Sequence, residues 1–168
     1  MFSELYVWLI VIFLFYFFTI VISRASSKKR RNKANSYLGL KYQRKPLMSP
    51  AERSFYGVLS EAVSDSHIVF CKVRVSDVLK PVVNKSDWYK AFNPISMKHF
   101  DFVLCCPGKL SVDLVVELDD KTHKNNDKVK KSDVLKDYVC KSAGIPLVRF
   151  PVLSAYSVNS IKYGLFKK

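Results

Sequence analysis

A mixed α/β domain, with a central sheet covered by helices on both faces, is the fold class this sequence predicts. Three observations predict it. Runs rich in Val, Ile and Phe sit mid-chain at His67–Val75, Lys98–Cys105 and Lys109–Asp119, with a fourth at Ile145–Val152. Apolar residues at helical spacing lie before, between and after them, at Pro50–Val63, Asn125–Ser142 and Ser157–Phe166. The order is therefore helix, strand, strand, strand, helix, strand, helix, which buries a sheet between helices.

The first helix of this domain begins at Ser49-Pro50-Ala51-Glu52. Ser at the N-cap, Pro at the first helical position and Glu at the third make a capping box. Phe55, Val58, Leu59, Ala62 and Val63 form its apolar stripe. Val78–Pro94 is mixed in character and reads as a loop or short helix that packs Trp88, Tyr89 and Phe92 on the core. Cys106-Pro107-Gly108 is a turn signal, so the strands on either side form an antiparallel hairpin. In the later helix Val129, Val134, Leu135, Tyr138 and Val139 make an apolar stripe opposite a lysine face, and Gly144 caps its end.

Residues 1–23 stand apart as an expected transmembrane anchor, and residues 24–48 as a basic linker to the domain of residues 49–168. Leu5–Ile22 holds no charge, Pro or Gly. As a helix it spans about 27 Å, close to the roughly 30 Å hydrocarbon core of a bilayer. A cleaved signal peptide competes with this reading, but no Lys or Arg precedes the run and Ser23-Arg24-Ala25 is a poor cleavage site. Arg24, Lys28, Lys29, Arg30, Arg31 and Lys33 follow the span, so the positive-inside rule puts the amino terminus outside and the domain in the cytoplasm. Tyr6 and Trp8 fall at the level of an aromatic belt. The linker contacts anionic lipid or helps to hold nucleic acid.

The chain of 168 residues carries a net charge of +14. Such a field favours a polyanion, either nucleic acid or the inner membrane surface. Cys71, Cys105, Cys106 and Cys140 contain no C-x-x-C pair and read as reduced, mostly buried thiols. A zinc site built from His99 and Cys105 is a weaker alternative.

Carboxylates interrupt two apolar strands, Asp101 in one and Glu117 and Asp119 in the other. Burying a carboxylate is costly unless it is paired or holds a metal. Glu117 and Asp119 share a face with Val115, and the hairpin brings Asp101 close. Carboxylate oxygens from adjacent strands suit Mg²⁺ or Mn²⁺, which can polarise a phosphoryl oxygen and acidify a bound water. His123, just past the strand, is a candidate general acid or base. Structural readings stand beside these. Asp101 and Glu117 pair with Arg149 or Lys98, Asp119-Asp120-Lys121 is a solvated turn, His123 caps a helix, and Glu52 only caps its own. Lys121, Lys124, Lys128, Lys130, Lys131 and Lys136 form either a solvated face or a nucleic-acid footprint.

Glu52, Lys98-His99-Phe100-Asp101-Phe102-Val103-Leu104, Val116-Glu117-Leu118-Asp119-Asp120-Lys121-Thr122-His123, the Lys-rich helix with Asp133, and Ala143-Gly144-Ile145-Pro146-Leu147-Val148-Arg149 occur in that order. In this the chain resembles the bacterial Domain of Unknown Function 2726 family. That family is similar to the very-short-patch-repair-like branch of the PD-(D/E)XK endonucleases. The resemblance covers about residues 47–152. It implies a restriction-endonuclease-like core and metal-dependent phosphodiester hydrolysis, with DNA favoured over RNA as the substrate; with the apolar span and the basic residues after it, the expected location is the bacterial inner membrane. By position, Asp101, Glu117 and Asp119 would be metal carboxylates, Glu52 an outer carboxylate, and His123 the histidine of the repair-like branch. Lys98, Lys128, Lys131 and Arg149 would contact phosphate. Asp119 stands where many such nucleases carry the lysine of E-x-K, so Lys121 or His123 would have to serve instead. A homodimer is a further implication. If no residue supplies the lysine, the domain binds nucleic acid without cutting it, or serves as a lipid or protein interaction module.

Overall fold

A computed structural model describes residues 2–35, 38, 40–119 and 127–167, without the side chains of 2–5, 7, 25–35, 127 and 128. The chain divides into two compact units, Met1–Lys45 and Pro46–Lys168. The first is the helix α1 (Phe2–Asn35) with the residues that follow it. From Leu9 to Ile22 its large apolar side chains are exposed, apart from the half-buried Ile20. Among the described residues no helix is long and apolar enough to cross a membrane. The expected span Leu5–Ile22 begins at residues whose side chains lie outside the described set.

The second unit has the expected mixed α/β architecture. A four-stranded sheet, ordered β1-β2-β3-β4, is built from β1 (Ile68–Arg74), β2 (His99–Cys105), β3 (Val112–Asp119) and β4 (Leu147–Pro151). The first three strands are antiparallel neighbours, and β4 lies parallel to β3. A parallel return needs a crossover, which the chain supplies as α5 (Asp127–Ala143). Its end is closed by Gly144 at φ +69°, a conformation that glycine adopts without a Cβ clash.

Two cores flank the sheet. On one face α2 (Pro50–Ala62) and α6 (Val158–Phe166) pack Phe55, Leu59, Ile161 and Leu165 against Phe102, Leu104, Leu114 and Val116. On the other, α3 (Val75–Val78), α4 (Trp88–Ser96) and α5 cover Phe100, Val103 and Val115. The capping box at Ser49 is present: its hydroxyl accepts from Glu52 N, and Glu52 Oε2 accepts from Ser49 N at 2.7 Å.

Three local expectations need correction. Val78–Pro94 is a loop that leads into the short helix α4, as expected, but Tyr89 is exposed rather than packed on the core. In α5, Val134 and Tyr138 are exposed. Leu135 and Val139 pack on the sheet beside the buried Cys140. Lys136, placed by its neighbours on a solvated face, is buried. One helical residue of offset moves a side chain by about 100° around the axis, so a lysine between two apolar rows can face inward.

Candidate functional site

The site lies where the sheet forks. The register between β2 and β3 runs through Val103↔Val115 and Phe102↔Val116. Beyond that point β2 stays paired with β1 as far as His99, and β3 stays paired with β4 as far as Asp119. Asp101 and Glu117 are the next residues on the two diverging strands. Across the gap, the Leu118 N–H donates to Asp101 Oδ2 at 3.1 Å, so a side chain replaces the missing backbone partner.

A backbone irregularity aims the groups. Lys72 has φ +54°, in the left-handed region that non-glycine residues seldom adopt. Its neighbours Cys71 and Val73 consequently pack on opposite faces of the sheet, although residues two apart in a regular strand share a face. Across from Lys72, Phe100 and Phe102 likewise belong to opposite cores. The break directs Lys72 to Asp101 Oδ1 at 2.7 Å, and to Glu52 Oε1 in a second ion pair. Glu52 therefore caps α2 and also faces the site.

On the other side of the fork, Lys136 Nζ reaches Glu117 Oε2 at 2.6 Å and Oε1 at 2.8 Å. Both side chains are nearly excluded from solvent, at 11% and 7% exposure. Burial pushes the Glu117 carboxyl up to about 7; the Lys136 ammonium pulls against that, and the charge of Asp101 adds to it. Burial also raises Lys72's cost of carrying charge, but the bonds to Asp101 and Glu52 outweigh it and lift the ammonium above its ordinary range. For Glu52, burial is likewise overcome, here by Lys72 and Ser49, and the carboxyl lies below its usual value.

The fork thus assembles Glu52, Asp101 and Glu117 with two lysines. Asp119 lies two residues further along β3 than Glu117, opposite Pro151, and its carbonyl accepts from Val152 N at 3.1 Å. Lys121 and His123 lie outside the described residues, as does the side chain of Lys128. Lys131 is exposed on α5. Lys98 ties β2 to its surroundings through its backbone, bonded to Val75 and Ile95. Arg149 neighbours Glu117 in the sheet, but its guanidinium donates to Asp137 Oδ1 at 2.6 Å and to the Asp133 carbonyl. The partners weighed from sequence, Arg149 or Lys98 for Asp101 and Glu117, are thus replaced by Lys72 and Lys136. The positive φ that aims Lys72 leaves no trace in its own residue type. Lys136 carries a fainter signal, being a cation at the spacing that follows a buried row.

Hard carboxylate oxygens from adjacent strands fit a divalent cation in kind. They do not fit one in arrangement, because both oxygens of Asp101 and both of Glu117 are engaged by protein donors. Among the described residues no group of three or more His, Cys, Asp or Glu side chains is placed to hold a metal ion. His99 and Cys105 lie at opposite ends of β2, so the zinc alternative fails on distance. An apolar cavity of about 430 Å³, lined by Leu79, Val82, Pro94, Leu135, Val139 and Ala143, contains none of the carboxylates.

Fold and site together define a mixed α/β domain with buried, lysine-paired carboxylates at a sheet fork. The family model described as protein of unknown function (DUF2726) matches residues 44–168, and the chain belongs to that family. No curated protein and no solved structure matches the chain.

Proposed function

We propose that this is a nuclease-like domain acting on DNA phosphodiesters at the cytoplasmic face of a membrane to which α1 tethers it. The observation that carries the reading is the fork, which brings Asp101 and Glu117 together from neighbouring strands in a partly dry setting. The restriction-endonuclease-like core belongs to the same reading, supported by the mixed sheet with its one parallel pair and flanking helices. The reading expects Mg²⁺ or Mn²⁺ at Asp101, Glu117 and Asp119, and it therefore requires Lys72 and Lys136 to give up the oxygens they occupy. In this reading Lys136, an ammonium at Glu117, takes the role of the E-x-K lysine that the strand lacks. The net charge of +14 supports a polyanionic substrate. The apolar side chains exposed around α1, and the basic residues after them, support the tether.

The test is DNA hydrolysis by the full-length chain in detergent with Mg²⁺ or Mn²⁺, beside Asp101→Asn and Glu117→Gln. Both variants should lose cleavage while keeping the wild-type circular dichroism. Equal cleavage by wild type and variants would overturn the reading. A second reading, a module that binds nucleic acid without cutting it, is favoured by the four occupied carboxylate oxygens. It expects DNA affinity in the presence of chelator that falls steeply with salt, because phosphate contacts release counterions.

A further inference from the structure

Away from the fork, three features meet on one surface of the second unit. The first is the apolar cavity of about 430 Å³, which lies between α5 and the segment that leads into α4. Its volume suits a small organic ligand. Val82, Pro94 and Ala143 of its wall are exposed, so it opens to solvent. The second feature is apolar side chains standing in water at that opening. Val82 is 91% exposed and Tyr138, also in the wall, 70%. Val134, one turn before Tyr138 on the same side of α5, is 68% exposed. Val134 and Tyr138 are the members of the α5 stripe that do not pack on the sheet. The third feature is charge. Among the described residues Lys80 is the one charged side chain in the wall. Lys90 lies one turn before Pro94 on α4, Lys141 one turn after Tyr138 on α5, and all three lysines are exposed. Residues 79–98 hold four lysines against one carboxylate, Asp87, and Asp137 of α5 is engaged by Arg149.

We infer that this surface docks the domain on a leaflet of anionic phospholipid. Lys80, Lys90 and Lys141 take the head-group phosphates. Val82, Val134 and Tyr138 enter the boundary of the acyl region, and the cavity receives an acyl chain. The aliphatic side chains decide for lipid over nucleic acid. A single strand is held by bases stacked on aromatic faces, and Val82 and Val134 offer only hydrocarbon. Hydrocarbon ringed by lysine is the composition that binds an anionic interface. The inference goes beyond the tether assigned to α1, because every residue it uses belongs to the second unit. It asks nothing of Asp101 or Glu117.

The experiment is photo-cross-linking of the full-length chain reconstituted in vesicles of phosphatidylcholine and phosphatidylglycerol. The phosphatidylglycerol carries an acyl-chain diazirine, and labelled peptides are mapped by mass spectrometry. Wild type should be labelled in residues 79–91 and 134–143 as well as in α1. The variant Lys80→Glu/Lys90→Glu/Lys141→Glu should lose about tenfold or more of the labelling in those two segments, since each lysine adds about fivefold at an anionic surface. Val82→Asp/Tyr138→Asp should lose it too, and both variants should keep the wild-type circular dichroism because the altered side chains are exposed. Labelling of the two segments without α1 supports the inference and counts against the tether alone. Labelling confined to α1, or unchanged in both variants, overturns the inference and spares the tether. Fluorescence anisotropy of a labelled oligonucleotide is the last arm. Oligonucleotide affinity that the lysine variant loses while its lipid labelling persists overturns the inference in favour of a nucleic-acid surface.

Discussion

Replacing Lys136 by Met isolates what the buried ion pair does for the fold. Glu117 has a native value of about 7 against an ordinary 4.5. Between those values the folded chain holds a proton that the unfolded chain has lost, so stability falls as pH rises through that window and levels off above it. Lys136 is one of the groups that hold the native value down. Without it the value rises past 7, and the decline continues where the wild type has levelled. The variant should therefore lose ground to wild type by about 1.4 kcal/mol for each pH unit above 7. The loss should saturate at about 3–5 kcal/mol, the usual cost of a buried charge stripped of its partner. Below pH 7 the difference should be small, because Glu117 is then protonated in both proteins. Urea unfolding of the full-length chain in detergent with chelator, from about pH 6 to about pH 9, reads this directly. A double variant, Glu117→Leu with Lys136→Met, should remove the part of the pH dependence that comes from Glu117. A wild-type-to-variant difference that stays constant with pH, or narrows above 7, would refute the assigned charge pairing.

Two further outcomes test the frame around the site. Gly164→Ala puts a Cβ at 2.6 Å from Phe150 Cε1, so the α6–β4 contact must open; a loss of about 1–3 kcal/mol is expected by the same unfolding assay. Ser49→Ala removes the hydroxyl half of the α2 capping box and should cost about 1 kcal/mol, with the melting temperature as the readout.

Local chemistry wrote several elements into the sequence by itself. Ser49-Pro50-Ala51-Glu52 is a start signal because orphan amide groups need those side chains nearby, and α2 begins at Pro50 with both bonds made. Gly144 is a stop signal because a positive φ suits glycine, and α5 ends beside it. The apolar run through β3 marked a strand, and the anomaly of Asp101 and Glu117 within apolar runs marked the candidate site. These are properties of residues within a few positions of each other.

Tertiary structure decided what those carboxylates meet. Lys72 lies twenty-nine residues from Asp101, and Lys136 nineteen from Glu117. No periodicity links such separations; only the pairing of β1 with β2 and the crossover that lays α5 on the sheet do so. The left-handed turn of Lys72 and the fork beyond Phe102↔Val116 are likewise backbone events set by how two sheet halves diverge around packed cores. The sequence determined that charge is buried in this domain, since residue types alone carry that cost. Which ammonium neutralises which carboxylate was decided by the fold, because an ion pair depends on distances in space that the order of residues does not contain.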